Sequence, residues 1–77
     1  MIKIEILGSG CPKCQQLAKN AELAAYQLGV QYELVKVTDI NELIKYGIMM
    51  TPGLVINGEV KAVGKLLTVE QIKELLK

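Results

Sequence analysis

The sequence contains no tryptophan, phenylalanine or histidine, and its aromatic residues are three tyrosines. Proteins that bind single-stranded nucleic acid stack the bases on aromatic side chains, and this chain offers no such platform. Its net charge of +1 gives no basic surface for nucleic acid or for an anionic membrane. We therefore expect no nucleic acid and no membrane among its partners.

Long hydrophobic runs are absent as well. No segment reaches the roughly 20 apolar residues that a helix needs to span a bilayer. Residues 1–7 alternate isoleucine with lysine and glutamate, so they lack the apolar run of a secretory signal. These features predict a cytoplasmic protein. The length of 77 residues predicts a single domain over residues 1–77, with a monomer as the default.

Alternating hydrophobicity predicts four short strands, over residues 3–7, 31–37, 54–56 and 60–63. In the first strand, Ile2, Ile4 and Ile6 share one face. The last two strands flank Asn57-Gly58, the strongest short signal for a hairpin. Because a helix joins the first two strands, we expect them to be parallel with a right-handed crossover.

The first helix begins at Pro12, whose missing N–H group is not needed in a first helical turn. An apolar stripe then recurs at helical spacing, and Gly29 follows as a C-terminal cap. The stripe consists of Cys14, Leu17, Ala18, Ala21, Ala24, Ala25 and Leu28. The pattern therefore predicts that Cys14 is buried.

Two capping boxes predict the remaining helices. Asp39 with Glu42 opens a short helix that runs through Tyr46, and Thr68 with Gln71 opens the last helix. The side chains expected to face the core are Ile40, Leu43 and Ile44 in the short helix and Val69, Ile72, Leu75 and Leu76 in the last. The order β-α-β-α-β-β-α predicts an α/β fold with three helices and a four-stranded mixed sheet.

The motif Cys11-Pro12-Lys13-Cys14 lies between the first strand and the N-terminus of the first helix. A disulfide within so short a loop stabilises little, and structural disulfides are rare in the cytoplasm, so the pair needs a chemical explanation. The unpaired N–H groups and the dipole of a helix N-terminus stabilise a thiolate there. We expect Cys11 to be this thiolate, with its pKa lowered and with Lys13 adding a favourable charge.

Cys14, one helical turn further on, is then expected to be the resolving thiol. Cys11 would attack a partner disulfide and form a mixed disulfide, and Cys14 would attack Cys11 and release the reduced partner. In the simplest alternative, Cys14 is a small core residue and Cys11 an incidental loop thiol.

A metal site is the other alternative. Structural zinc requires four ligands, and two cysteines without histidine do not supply them. A Cu(I) carrier could use the same thiolates. Small copper chaperones, however, resemble β-α-β-β-α-β, end in a strand and have methionine where this chain has Gly10. We therefore expect no metal and no other cofactor.

Two further features lie after the second helix. Thr51-Pro52 precedes the third strand, and Gly64 follows the fourth. Either is ordinary by itself, since proline often begins a strand and only about 5–6% of X-Pro bonds are cis. Together with the cysteine motif, they make the whole chain resemble the thioredoxin superfamily. In residues 8–14 and 46–52, the chain is similar to the smallest members of this superfamily. These are the archaeal and bacterial thioredoxin/glutaredoxin-like proteins called redox-active disulfide protein 2.

The resemblance implies a thioredoxin-like fold and a protein-disulfide oxidoreductase. It implies a cis Thr51–Pro52 bond that faces the cysteine pair, and a Thr51 backbone that binds a substrate segment in the manner of a strand. The substrate-binding residues that it implies are Pro12, Lys13, Thr51, Pro52 and Gly64. Met49 and Met50 either add soft apolar contact area there or belong to ordinary packing.

Some positions differ from the better known members. Thioredoxins proper have tryptophan before the first cysteine, and glutaredoxins grip glutathione with Gly-Gly-x-Asp, which residues 63–66 do not match. The expected partners are therefore protein disulfides and an upstream reductase or dithiol donor. Glu5 lies six residues before Cys11, where thioredoxins have a buried acid. Alternation with Ile4 and Ile6 favours a solvated face for Glu5, while burial near Cys14 would make it a candidate base.

Overall fold

The structure, a computed structural model, describes residues 1–8, 12–48 and 50–77. Its elements are β1 (Ile2–Leu7), α1 (Pro12–Leu28), β2 (Tyr32–Val37), α2 (Ile40–Lys45), β3 (Gly53–Ile56), β4 (Glu59–Val63) and α3 (Val69–Leu76). The predicted order β-α-β-α-β-β-α is confirmed. Within the described ranges, no helix is both long enough and apolar enough to cross a bilayer.

The four strands form one mixed sheet in the order β2-β1-β3-β4. β1 runs parallel to β2 and antiparallel to β3, and β3 pairs with β4 in the predicted hairpin. The register of this hairpin shifts between Leu54 and Val55, so that β4 contains one extra residue, Lys61. β1 and β3 occupy the centre of the sheet, and every residue of β3 is buried.

Helices cover both faces of the sheet. Even-numbered residues of β1, such as Ile4 and Ile6, pack against α1 and α3 in the larger part of the core. Leu7 faces the other way, towards α2, and contacts Val55 and Ile48 in a smaller apolar cluster. Because successive side chains of a strand point to opposite faces, β1 supports a helix on each side.

Local sequence signals account for the turns and caps. Asn57 and Gly58 have φ values of 50° and 83°, as a two-residue hairpin turn requires. The Asn57 side chain also accepts a hydrogen bond from the Lys3 N–H at 2.9 Å, which ties the turn to β1. The capping box predicted at Thr68 and Gln71 is complete in both directions.

The second helix differs from its prediction in orientation. Ile40 and Ile44 are each 68% exposed, so the expectation that both face the core is wrong. Leu43 and Tyr46 are the residues that pack on the sheet. These two lie three apart and form a line on the helix surface beside the line of Ile40 and Ile44. The helix is thus rotated from the predicted face.

Asp39 caps the start of this helix as predicted, but its hydrogen bonds are not those of the predicted capping box with Glu42. The Asp39 side chain accepts a hydrogen bond at 2.9 Å from the N–H of Asn41. The predicted box requires the Glu42 N–H to donate to the Asp39 side chain. In the structure, the Glu42 N–H donates to the Asp39 carbonyl at 3.1 Å. The N–H of Leu43 also donates to this carbonyl at 3.2 Å, so Asp39 satisfies three N–H groups of the first turn.

Candidate functional site

The predicted site residues that the structure describes meet at one end of the sheet. β1 ends there at Leu7, and α1 begins there at Pro12. The Thr51–Pro52 bond enters β3 at the same end, because Gly53 pairs with Leu7. Gly64 follows β4 there as well, since Val63 pairs with Gly53.

Cys14 lies in the first turn of α1 and points towards the sheet. It is 4% exposed, which confirms that it belongs to the buried stripe of the helix. A Cβ atom built on Gly8 would overlap the Sγ atom of Cys14 and would lie 3.4 Å from the Cβ atom of Thr51. Cys14 and Thr51 therefore both approach the backbone at the end of β1.

Gly8 is absent from the site residues that the sequence pattern predicts. It is buried, and its N–H donates to the carbonyl of Val37 at 2.9 Å, so the backbone continues the pairing of β1 with β2. Only a residue without a side chain leaves room for the Cys14 sulfur here. A glycine directly after a strand and six residues before a cysteine of the apolar helical stripe is the signal that could have identified it.

Cys11 lies outside the described residues, as do Ser9, Gly10 and Met49. The assignment of Cys11 as the attacking thiolate therefore stays a prediction. Along the sequence it directly precedes Pro12, the first residue of α1.

The first turn of α1 has the charge expected at an anion-stabilising helix end. All 17 residues of α1 are described, and no acidic side chain lies in the first turn. Pro12 and Lys13 are exposed on its outer side, while Cys14 turns inward. The positive end of the helix dipole and the Lys13 ammonium therefore act in the same direction on a neighbouring anion.

Thr51 and Pro52 form the opposite side of the site. Their peptide bond is cis, the isomer that the resemblance implies. Thr51 is exposed, whereas Pro52 is buried. The carbonyl of Pro52 accepts a hydrogen bond from the Gly64 N–H at 2.8 Å. This bond holds the segment before β3 against the end of β4.

Gly64 also adjoins Met50. With φ at +69°, Gly64 adopts a conformation that favours glycine, and a Cβ atom there would lie 3.1 Å from the Cβ atom of Met50. Met50 is 65% exposed, so it does not belong to the core. Its thioether side chain adds apolar surface next to Thr51.

A small cavity of about 100 Å³ opens beside the Cys14 sulfur. Lys36 and Thr38 line it from the end of β2. Lys36 pairs in register with Ile6, and neighbours in a sheet point to the same face, so the Lys36 side chain lies on the α1 side with Cys14. The alternation of β2 is the signal that could have identified Lys36.

Glu5 lies on the other face of β1. It is 8% exposed, so the expectation of a solvated face is wrong. The Tyr46 hydroxyl donates a hydrogen bond to its Oε1 atom at 3.3 Å, and the Nζ atom of Lys3 lies 3.9 Å from the same oxygen. Glu5 is buried because β1 is a central strand with a layer on each face. Its placement opposite Cys14 disfavours the alternative in which Glu5 is the base of Cys14.

The same contact affects Tyr46. Burial of the phenol is the main cause that raises its pKa above the ordinary value of 10.0. The charge of Glu5, the hydrogen bond to Glu5 and the charge of Glu42 raise this pKa further. Tyr46 therefore keeps its proton and remains a donor to the carboxylate.

Residues 1–8, 12–48 and 50–77 contain no cluster of three or more His, Cys, Asp or Glu side chains arranged to hold a metal ion.

Comparison with known proteins gives a consistent result over nearly the whole chain. A family model described as a thioredoxin domain matches residues 2–77. A thioredoxin of Methanothermobacter thermautotrophicus is 40% identical over 76 residues, which cover 99% of each chain. A thioredoxin of Methanocaldococcus jannaschii is 44% identical over 77 residues, or 100% of this chain and 88% of the relative. A second thioredoxin of that organism is 35% identical over 82 residues, which cover 97% of this chain and 96% of the relative.

Proposed function

The chain belongs to the thioredoxin family, and from that premise we propose that it is a thiol–disulfide oxidoreductase that reduces protein disulfides through Cys11 and Cys14. One observation carries the proposal. The buried sulfur of Cys14 and the exposed Thr51 meet at Gly8, so a thiol and a backbone surface for substrate lie side by side.

The proposed reaction transfers two electrons to the substrate. The Cys11 thiolate attacks one sulfur of the substrate disulfide, forms a mixed disulfide and releases the other sulfur as a thiolate. Cys14 loses its proton and attacks Cys11, which forms the Cys11–Cys14 disulfide and releases the second substrate thiolate. The two substrate thiolates take up the proton that Cys14 releases and a second proton from water, so the substrate gains two electrons and two protons. An upstream reductase or dithiol donor then restores the cysteine pair to its reduced form.

The surface around the pair fits an extended polypeptide. Pro12 and Lys13 border it on the α1 side, and Met50 and Thr51 border it on the other. In this proposal, the Thr51 backbone pairs with the substrate like an added strand. Gly64 leaves space beside it because any side chain there would press on Met50.

The substrate is proposed to be a protein disulfide and not a glutathione adduct. The stretch at the end of β4, Val63-Gly64-Lys65-Leu66, has no aspartate to bind the glutathione backbone. We further propose a single cytoplasmic domain that acts as a monomer, without a metal or organic cofactor. Neither a nucleic acid nor a membrane takes part in this reaction.

The cysteine roles are tested by trapping. Cys11→Ser is expected to abolish reduction of an insulin-type disulfide substrate. Cys14→Ser is expected to attack the substrate and to stop as a mixed disulfide, visible as a covalent adduct that a small dithiol removes. The assignment is reversed if Cys11→Ser yields the adduct and Cys14→Ser does not.

The direction of electron flow needs a separate measurement, the reduction potential of the cysteine pair against a dithiol buffer. A value near about −270 mV, as in a thioredoxin, supports a reductant. A value near about −120 mV, as in a strong protein oxidant, contradicts it.

The copper-carrier alternative gains no support from the comparisons. In the structure, the helix α2 follows the second strand, whereas the β-α-β-β-α-β order of small copper chaperones has a third strand there. Competition with a Cu(I) chelator still provides a direct test. Sub-picomolar retention of copper without any disulfide reduction would favour the carrier.

A further inference from the structure

The segment between α2 and β3 presents Met50 and Thr51, which border the proposed substrate surface. It begins at Tyr46, the C-cap of α2, and ends at Pro52. The hydrogen bond from the Gly64 N–H to the Pro52 carbonyl ties the end of the segment to β4. Two contacts among the described residues tie its earlier part to β1, and both bear on where Met50 and Thr51 lie relative to Cys14.

The first attachment is apolar. Ile48 is 5% exposed and packs with Leu7 and Val55. Its Cδ1 atom fills the space in which a Cβ atom on Gly53 would stand, and its N–H donates to the Leu43 carbonyl at 2.9 Å. Apolar contacts of this kind stabilise burial but are not directional.

The second attachment is polar and directional. The Tyr46 hydroxyl donates to Oε1 of Glu5 at 3.3 Å, next to the apolar cluster. Glu5 is flanked in the sheet by Val35 and Val55, where an apolar side chain would fit as well. A buried carboxylate is unfavourable unless it is hydrogen-bonded, so packing alone does not explain a glutamate at this position.

We propose that Glu5 and Tyr46 are positioning residues that fix the segment bearing Met50 and Thr51 against β1. The inference rests on the proposed disulfide exchange. Glu5 then acts on the side of the sheet opposite to Cys14, and it serves substrate binding through Tyr46 instead of exchanging a proton with the thiol. The hydroxyl needs an acceptor at position 5, and the amide oxygen of a glutamine can accept this hydrogen bond as the carboxylate does.

Three variants separate positioning from proton transfer. Tyr46→Phe removes the hydroxyl and leaves the ring in the cluster, and Glu5→Leu removes the acceptor. Glu5→Gln keeps an acceptor but cannot act as a base. In reduction of an insulin-type disulfide, loss of one hydrogen bond is expected to raise KM by about two- to tenfold in Tyr46→Phe and Glu5→Leu. We expect Glu5→Gln to keep the wild-type KM and kcat.

Tyr26→Phe is the matched control. Tyr26 is 79% exposed on α1, so the same chemical change there should alter neither KM nor kcat. The positioning role is overturned if Glu5→Gln lowers kcat and shifts the pH profile while Tyr46→Phe leaves both constants unchanged. That result would make Glu5 a base.

Hydrogen–deuterium exchange tests the attachment without any assay of activity. In Tyr46→Phe, the amides of residues 47, 48 and 50 should exchange faster than in the wild type, with the amides of α1 unchanged. Equal exchange at these positions overturns the inference even if the variant reduces disulfides poorly. If the wild type reduces no disulfide but the exchange difference is present, the proposed function fails and the attachment stands.

Discussion

The Sγ atom of Cys14 lies in the space that a side chain on Gly8 would occupy. The first turn of α1 can therefore rest directly on the last residues of β1. The backbone of Gly8, at the end of a central strand, therefore packs directly against the buried thiol. Outside the cysteine motif, the candidate site therefore requires a glycine at position 8.

Gly8→Ala should disturb the thiol directly. The added methyl group overlaps Cys14, and overpacking of this kind costs about 1–3 kcal/mol of unfolding free energy. Displacement of Cys14 should also slow its attack on the mixed disulfide. Urea unfolding of the reduced protein and single-turnover decay of the mixed disulfide measure the two effects.

Gly53→Ala is the control for this experiment. A methyl group there meets the Cδ1 atom of Ile48, the movable end of a side chain on the opposite face of the sheet. We expect some loss of stability but a wild-type rate of decay of the mixed disulfide. A wild-type decay rate in Gly8→Ala as well would remove Gly8 from the site.

Met50→Ala should weaken substrate binding and leave the fold intact. Met50 is 65% exposed, and exposed substitutions usually change the unfolding free energy by less than about 0.5 kcal/mol. Loss of its apolar surface should raise KM for a protein disulfide several-fold without changing kcat. Leu23→Ala is the comparison, because Leu23 is 46% exposed and lies about 16 Å along α1 from its first residue. Equal effects of the two substitutions would show that Met50 has no particular role.

Tyr46 should make the stability of the protein depend on alkaline pH. Burial and the neighbouring Glu5 raise its pKa in the folded state above 10.0. Such a group adds stability that is fully present below its unfolded pKa and is lost as the pH rises through its folded pKa. We therefore expect the unfolding free energy to fall above pH 10, and to fall less in Tyr46→Phe.

Spectrophotometric titration of tyrosinate provides the second measurement of this effect. Tyr46→Phe should remove a component that titrates above 10.0. If the component removed by this substitution titrates at or below 10.0, the contact with Glu5 is weaker than the structure indicates.

The orientation of α2 can be tested by stability alone. Ile40→Ser and Ile44→Ser should each change the unfolding free energy by less than about 0.5 kcal/mol, because both side chains are 68% exposed. Leu43→Ala should cost more than about 1 kcal/mol, since Leu43 packs against the cluster of Leu7, Ile48 and Val55. Urea unfolding of the three variants measures these changes. If the isoleucine substitutions lower the unfolding free energy more than Leu43→Ala does, the assignment of the buried face is wrong.

Features that depend on neighbouring residues could be predicted from the sequence. The hairpin at Asn57-Gly58 and the capping box of Thr68 follow from two to four adjacent residues. The burial of Cys14 follows from a stripe that runs along most of α1. In each case, a single element contains the whole signal.

Features that depend on contacts between distant elements could not be predicted in this way. The burial of Glu5 requires α2 to cover the second face of the sheet, and the alternation of β1 alone indicates a solvated residue. Which face of α2 is buried depends on where Leu43 and Tyr46 contact that sheet. The close approach at Gly8 depends on the distance between a strand and a helix. Cys11 stays a prediction because it lies outside the described residues.

The additional residue in β4 has a consequence for self-association. Lys61 interrupts the regular pairing of a strand at the end of the sheet order, where Val60 and Val63 are partly exposed. A bulge at such an edge makes it a poor template, because a strand from a second molecule loses register after a few residues. The bulge therefore disfavours the addition of a strand from a second molecule along a border where valines are exposed.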